Sequence, residues 1–214
     1  MAKKKETSVA VEIPELKTQK AKITIVGDTP LIVKAFSQKA KEEIAEKQQK
    51  KAKKPKEGEN IWETFINSLH WMTPKPKEYT EKAFNEAMKK GAKFGFPSTG
   101  IKQCIASGAY RKKLVKDKVS MYSSFHILDE LCEIEGDLSM SEDYARNPMS
   151  GGAVICTRPK FTNWSITFTI LYDNTYSLEE LVNFINLGGF GVGIGCWRVE
   201  KGGMYGMFHV GGKK

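Results

Sequence analysis

The chain has 214 residues, 40% of them hydrophobic, and a formal net charge of +9. That length suits one domain with elaborations rather than two very small ones, and no apolar run approaches the ~20 residues that a membrane-spanning helix needs. Cys104, Cys132, Cys156 and Cys196 lie far apart, with no C-x-x-C pair and no histidine at ligand spacing, so buried free thiols are expected rather than a metal site, and nothing points to a cofactor.

The charge is uneven, with net +6 over residues 1–60 and net +3 over the remainder. Such a bias fits a polyanionic partner or a solvated linker. The opening Met1-Ala-Lys-Lys-Lys-Glu is charged and has no apolar core, so no signal peptide and a cytoplasmic location are expected. Residues 1–20 read as a basic flexible arm, and 21–214 as a single domain. Lys22 to Val26 alternates as a strand does, Gly27-Asp28 breaks it, and Pro30 to Val33 resumes an extended character. Residues 35–97 read as an insertion. It carries a Lys-rich segment at 47–58, an apolar aromatic stretch from Ile61 to Met72, and a short helix over 80–90 closed by Gly91.

Phe96-Pro97-Ser98-Thr99 opens a helix to about Leu114, with Ile101, Cys104, Ile105 and Ala109 on one face. Val119 to Leu128 and Leu131 to Glu135 read as a strand pair or one broken strand. Residues 136–152 read as a loop or protruding hairpin. Trp164 to Tyr172 is the clearest strand, with apolar residues at every second position. Ser177 then caps a helix, Glu180 completes a capping box, and Gly188 stands as the residue just past its end. A short strand over 204–210 closes the chain. The order β-α-β-β-α-β predicts an α+β fold with a ferredoxin-like, RRM-like core.

Eight glycines fall within the nineteen residues from Gly188 to Gly206. Dinucleotide folds run strand, glycines, helix, whereas here the order is helix, glycines, strand. Gly193, Gly195 and Gly203 could let the backbone approach a phosphate and present N–H groups as a nest, with Arg198 and Lys201 adding charge. A loop whose glycines only pack helix on sheet is the alternative. Lys102, in the first turn of its helix, is misplaced with respect to the helix dipole, which suits a phosphate contact. Arg111, Lys112 and Lys113 stand beside Tyr110, and Trp197 and Tyr205 flank the loop as stacking candidates.

Three segments together resemble the RAMP superfamily, which includes the backbone subunits of CRISPR effector complexes (the Cas seven type). They are Ile23 to Val33, Phe96 to Ile105, and the glycine segment with Gly193-Ile-Gly-Cys-Trp-Arg198 and Gly203-Met-Tyr-Gly206. Lys34 departs from the pattern, standing where those proteins carry a glycine, as do Ser98, Gly100, Gln103 and Ala106. The resemblance implies binding of single-stranded RNA or DNA, with the glycine loop and the first helix near the phosphates. It also implies homo-oligomers stacked head to tail along the strand, and a thumb-like hairpin over 136–152 whose Arg146 and Met149 would wedge between bases. A free-standing phage or mobile-element relative, working in the host cytoplasm, fits that picture.

Two other readings stay open. One is an assembly or interaction protein without nucleic-acid binding. The other is a RAMP-type endoribonuclease using a histidine among His70, His126 and His209, or Asp28 beside the first strand.

Overall fold

The computed structural model describes residues 15–36, 45, 60–146 and 153–211. Met149, the Lys-rich segment 47–58 and most of the arm 1–20 lie outside them.

The chain forms an α+β fold around one antiparallel sheet. In chain order the elements are β1 (Gln19–Gly27), β2 (Leu31–Ile32), α1 (Ile61–Asn67), α2 (Glu81–Lys89), β3 (Gly95–Pro97) and α3 (Ser98–Arg111). There follow α4 (Lys118–Ser124), β4 (Phe125–Ile127), β5 (Leu131–Arg146), β6 (Ala153–Tyr172), α5 (Leu178–Gly191), a 3₁₀ turn (Val199–Lys201) and β7 (Phe208–Val210). The strands run β3-β5-β6-β1-β7, with β2 and β4 also paired to β6.

Period-two alternation drives this sheet. Ile23 and Ile25 of β1 and Trp164, Ile166, Phe168 and Ile170 of β6 all point into one core, each at most 6% exposed. Burying each such side chain contributes roughly 1.5–3 kcal/mol, an upper figure because unfolded chains already bury some apolar surface. Lys22 and Thr24 alternate outward. Thr24 and Thr167 face each other there and share a hydrogen bond of 2.9 Å.

α3 and α5 close the core. α3 buries the expected Ile101, Cys104, Ile105 and Ala109, and α5 buries Leu181, Phe184 and Ile185. The two helices meet at glycine: a Cβ on Gly108 would lie 2.5 Å from the Gly188 backbone nitrogen. The Ser177–Glu180 capping box forms as expected, with both reciprocal bonds in place.

The structure corrects the sequence expectation at Gly188, over Val119 to Leu128 and in the closing strand. Gly188 does not end its helix: α5 continues through Gly189 to Gly191, because both glycines are used for close packing rather than for a turn. The turn falls at Gly193, whose φ of +72° is the left-handed value that glycine adopts without penalty. Val119 to Leu128 is not a strand over its whole length. Asp117 accepts the Ser120 N–H as an N-cap, so Lys118–Ser124 becomes helical and leaves Val119 exposed. Of the two readings for 136–152, the described part takes the protruding hairpin: β5 stays paired with β6 out to Arg146 opposite Ala153. The closing strand is shorter than 204–210, because the glycine loop occupies residues up to Met207.

Candidate nucleic-acid interface

The glycine loop is a frame clipped to its surroundings through its own backbone. The Gly193 N–H donates to Gly188 O at 2.9 Å, and the Ile194 N–H to Gly206 O at 3.0 Å. Cys196 and Gly206 donate to Ile32 O and Pro30 O at 2.7 and 2.8 Å, which ties the loop to β2. A Cβ on Gly203 would lie 1.7 Å from Trp197 O, so the two halves of the loop touch backbone to backbone. Gly195 is equally confined, with Ile32 O 2.4 Å from where its Cβ would stand. These N–H groups are spent inside the fold, and what the loop offers a ligand is chiefly side chains.

Arg198 is the first of them. Its Nε and Nη2 donate to Glu200 Oε2 at 3.0 and 2.7 Å, and its Nη1 to Gly195 O at 3.4 Å. Arg111, from the last turn of α3, donates to the other oxygen of Glu200 at 2.7 Å. One carboxylate thus joins two guanidiniums from different elements. Burial acts to raise the Glu200 carboxyl pKa, but the Arg198 hydrogen bonds and charge, helped by Arg111 and Lys201, outweigh it and hold it below the usual range. Lys201 is exposed in the 3₁₀ turn, and Lys112 and Lys113 are exposed just past α3.

The next two cations were missed by the sequence reading. Arg158 and Lys160 are two residues apart on β6 and therefore share a face. The Arg158 guanidinium lies 5.6 Å from the Trp197 ring centre, and the Lys160 ammonium 5.9 Å from that of Tyr205. Trp197 remains 43% exposed. Arg158 Nε and Nη1 are buried without a hydrogen-bond partner among the described residues. The available signal was the i, i+2 spacing in Thr157-Arg-Pro-Lys160, once this stretch is known to be strand.

On the other side of the loop lies a cleft of about 520 Å³ between the start of α3 and the chain after β2. Lys34, Phe36, His70, Thr99, Gln103, Arg198 and Glu200 line it. Pro97 precedes α3 and supplies no side-chain cap, and no acidic residue stands in the first turn. Burial lowers the His70 pKa, which favours the neutral imidazole. Lys102 does not line this cleft. Its ammonium lies 3.3 Å from His126 Nδ1 and 5.5 and 6.0 Å from the Phe125 and Tyr122 ring centres, and burial lowers its pKa.

Gly193, Gly195, Trp197, Arg198, Lys201, Gly203 and Arg111 are therefore brought together, Lys112 and Lys113 lie at the end of α3, and Lys102 faces α4 and β4. Arg146 pairs through its backbone at the outer end of the described hairpin. His209 Nδ1 lies 2.7 Å from Asp28 Oδ1, both exposed. Among the described residues no group of three or more His, Cys, Asp or Glu side chains could hold a metal ion, and no helix is long and apolar enough to cross a membrane. No family model matches the chain, and no curated protein matches it either.

Proposed function

We propose that this protein binds single-stranded RNA or DNA along the side-chain surface of its glycine loop and the neighbouring part of β6. The observation that carries the reading is the gathering of Arg111, Arg158, Lys160, Arg198 and Lys201 about one loop, two of them seated over aromatic rings. Cations interleaved with aromatic faces are what a flexible polyanion of stacking bases requires. The outer face of the sheet is a poor competitor: Asp129, Glu133 and Glu135 stand there beside Thr167 and Thr169.

The finer fold assignment is part of the proposal. The strand order β5-β6-β1-β7, antiparallel throughout, with α3 and α5 as the two crossovers, supports a ferredoxin-like core. That core, with the glycine loop between α5 and β7, supports kinship with the RAMP superfamily, and with it head-to-tail assembly along a strand.

The test is fluorescence anisotropy with a labelled single strand across a salt series. With about four phosphates neutralised, log K falls with log salt at a slope of roughly −3. An affinity indifferent to salt, or no binding at low salt, refutes the proposal. Elution in size-exclusion chromatography that is unchanged by a long oligonucleotide refutes the assembly. The Asp28–His209 pair favours a second reading, an endoribonuclease in which the carboxylate orients a histidine general base. Cleavage fragments from added RNA that vanish in His209→Ala support it, and intact RNA refutes it.

A further inference from the structure

The cleft beside the glycine loop carries groups that the strand surface leaves unused, and what it can take is an inference that rests on the single-strand reading above. Both of its walls are pinned by backbone hydrogen bonds. On one side the Val33 N–H donates to Pro159 O at 3.1 Å and the Ala35 N–H to Ser68 O at 2.8 Å, which fixes the chain that carries Lys34 and Phe36. On the other the Ser98 N–H donates to Glu130 O at 3.0 Å where α3 begins, and His70 O accepts the Gly95 N–H at 2.9 Å. The volume of about 520 Å³ is therefore built into the fold, and it falls within the range of about 300–1,000 Å³ found for small-ligand sites.

The lining describes the ligand. Lys34 and Arg198 are opposed by Glu200 alone among the described lining residues, and burial favours a neutral His70, so the cleft has a net positive charge and suits an anion. Phe36 lines it with 70% of its surface exposed, and a flat apolar group laid against that ring would gain burial on both partners. Gln103, also exposed, offers amide donors and acceptors together, which suits the edge of a base. Arg198 belongs both to the cleft and to the cation cluster of the strand surface, so a strand held by Arg198 passes beside the cleft. Turning one base out of a single strand costs little, because no pairing is broken. We propose that the cleft takes one nucleotide, with its base against Phe36 and Gln103 and its phosphate on Arg198. The nucleotide is either one unit of the bound strand or a free nucleoside monophosphate, which present the same chemistry.

Two probes separate these sources. One is a labelled run of about twelve thymidines, a length within the usual single-strand site size. The other is free adenosine or thymidine 5′-monophosphate, followed by isothermal titration calorimetry. The full chain is compared with Gln103→Trp, which fills the cleft from an exposed position, and with Gln103→Ala, which removes the amide. If a unit of the strand enters the cleft, Gln103→Trp binds the run about ten-fold more weakly with an unchanged salt slope, because a base contact is lost and no phosphate contact. Gln103→Ala then loses about three-fold. If the ligand is a free nucleotide, strand affinity is unchanged, and the parent binds a monophosphate that Gln103→Trp does not. Strand affinity unchanged by Gln103→Trp, with monophosphates bound by neither protein or by both alike, overturns the inference and leaves the single-strand reading intact. Failure to bind the run at low salt overturns the single-strand reading, and the monophosphates then decide the cleft alone. Circular dichroism checks the fold of each variant, and should Gln103→Trp fail to fold, Gln103→Ala decides by the same comparisons.

Discussion

Substituting Glu200 by Gln removes the charge that the two guanidiniums share and leaves the shape almost unchanged. Arg198 gives it two hydrogen bonds and Arg111 one, and its side chain is only 19% exposed. With the carboxylate gone, both guanidiniums are less neutralised. If one of them gains a full phosphate contact, log K acquires about −0.7 more slope against log salt. Across a ten-fold change in salt that is about five-fold. Glu200→Gln is thus expected to bind a single strand about five-fold more tightly near 0.1 M salt than the parent, with the advantage fading toward 1 M. The same change costs about 1 kcal/mol of stability, since the partners are half-exposed and the pairing is screened. The acid limb gives a second readout. Glu200 has a folded pKa held below the usual value, so its contribution is intact above the unfolded pKa of about 4.3 and is lost as pH falls through the folded one. The stability gap between parent and variant should narrow between about pH 5 and pH 3. Weaker binding by Glu200→Gln near 0.1 M, with an unchanged salt slope, would mean that Arg198 and Arg111 serve only to hold the loop.

The remaining predictions concern the core. Gly108→Ala places a Cβ 2.5 Å from the Gly188 nitrogen, backbone against backbone, so α3 and α5 must part. The expected loss is about 2 kcal/mol after the helix-propensity gain of roughly 1 kcal/mol is deducted, read as a lower urea midpoint; a variant more stable than the parent refutes the helix contact. Burial pushes the Cys104 and Cys132 thiols up to about 12, while Cys156 and Cys196 are only half-buried. Near pH 8 an aromatic disulfide reagent should therefore titrate Cys156 and Cys196 in the native protein and all four thiols in denaturant. Fast native modification of Cys104 or Cys132 refutes that burial.

What could be read from the sequence was local. The capping box at Ser177, the alternation from Trp164 to Tyr172 and the apolar face of α3 each depend on neighbours within a turn or a strand length, and each forms. Non-local contacts defeated the rest. Gly188 looks like a helix stop because nothing nearby reveals that Ile105 of another helix needs its missing side chain. The dipole argument for Lys102 considers the helix alone, and it could not show that His126, Tyr122 and Phe125 arrive from beyond the helix to stand beside the ammonium. Arg158 and Lys160 were hidden by Pro159, which argues against a strand until β2 is seen to pair there through Leu31 and Ile32.

The presence of a carboxylate at the centre of a basic loop follows from the same geometry. Arg198 stands on the loop and Arg111 at the end of α3, and without a partner between them two guanidiniums would repel across that gap. Glu200 joins them, and its N–H donates to Val192 O at 3.0 Å, so the carboxylate is itself anchored to the end of α5. The loop gives up one unit of positive charge and gains a fixed position for Arg198 and for Trp197 beside it. Flexible cations bind a polyanion but lose side-chain entropy in doing so, whereas preset ones do not. The glycines serve the same end, because their close approaches at Gly195 and Gly203 bring loop backbone to within contact of Ile32 O and Trp197 O. Affinity at this surface would then come from a few side chains held in place, and the glycines contribute by holding them.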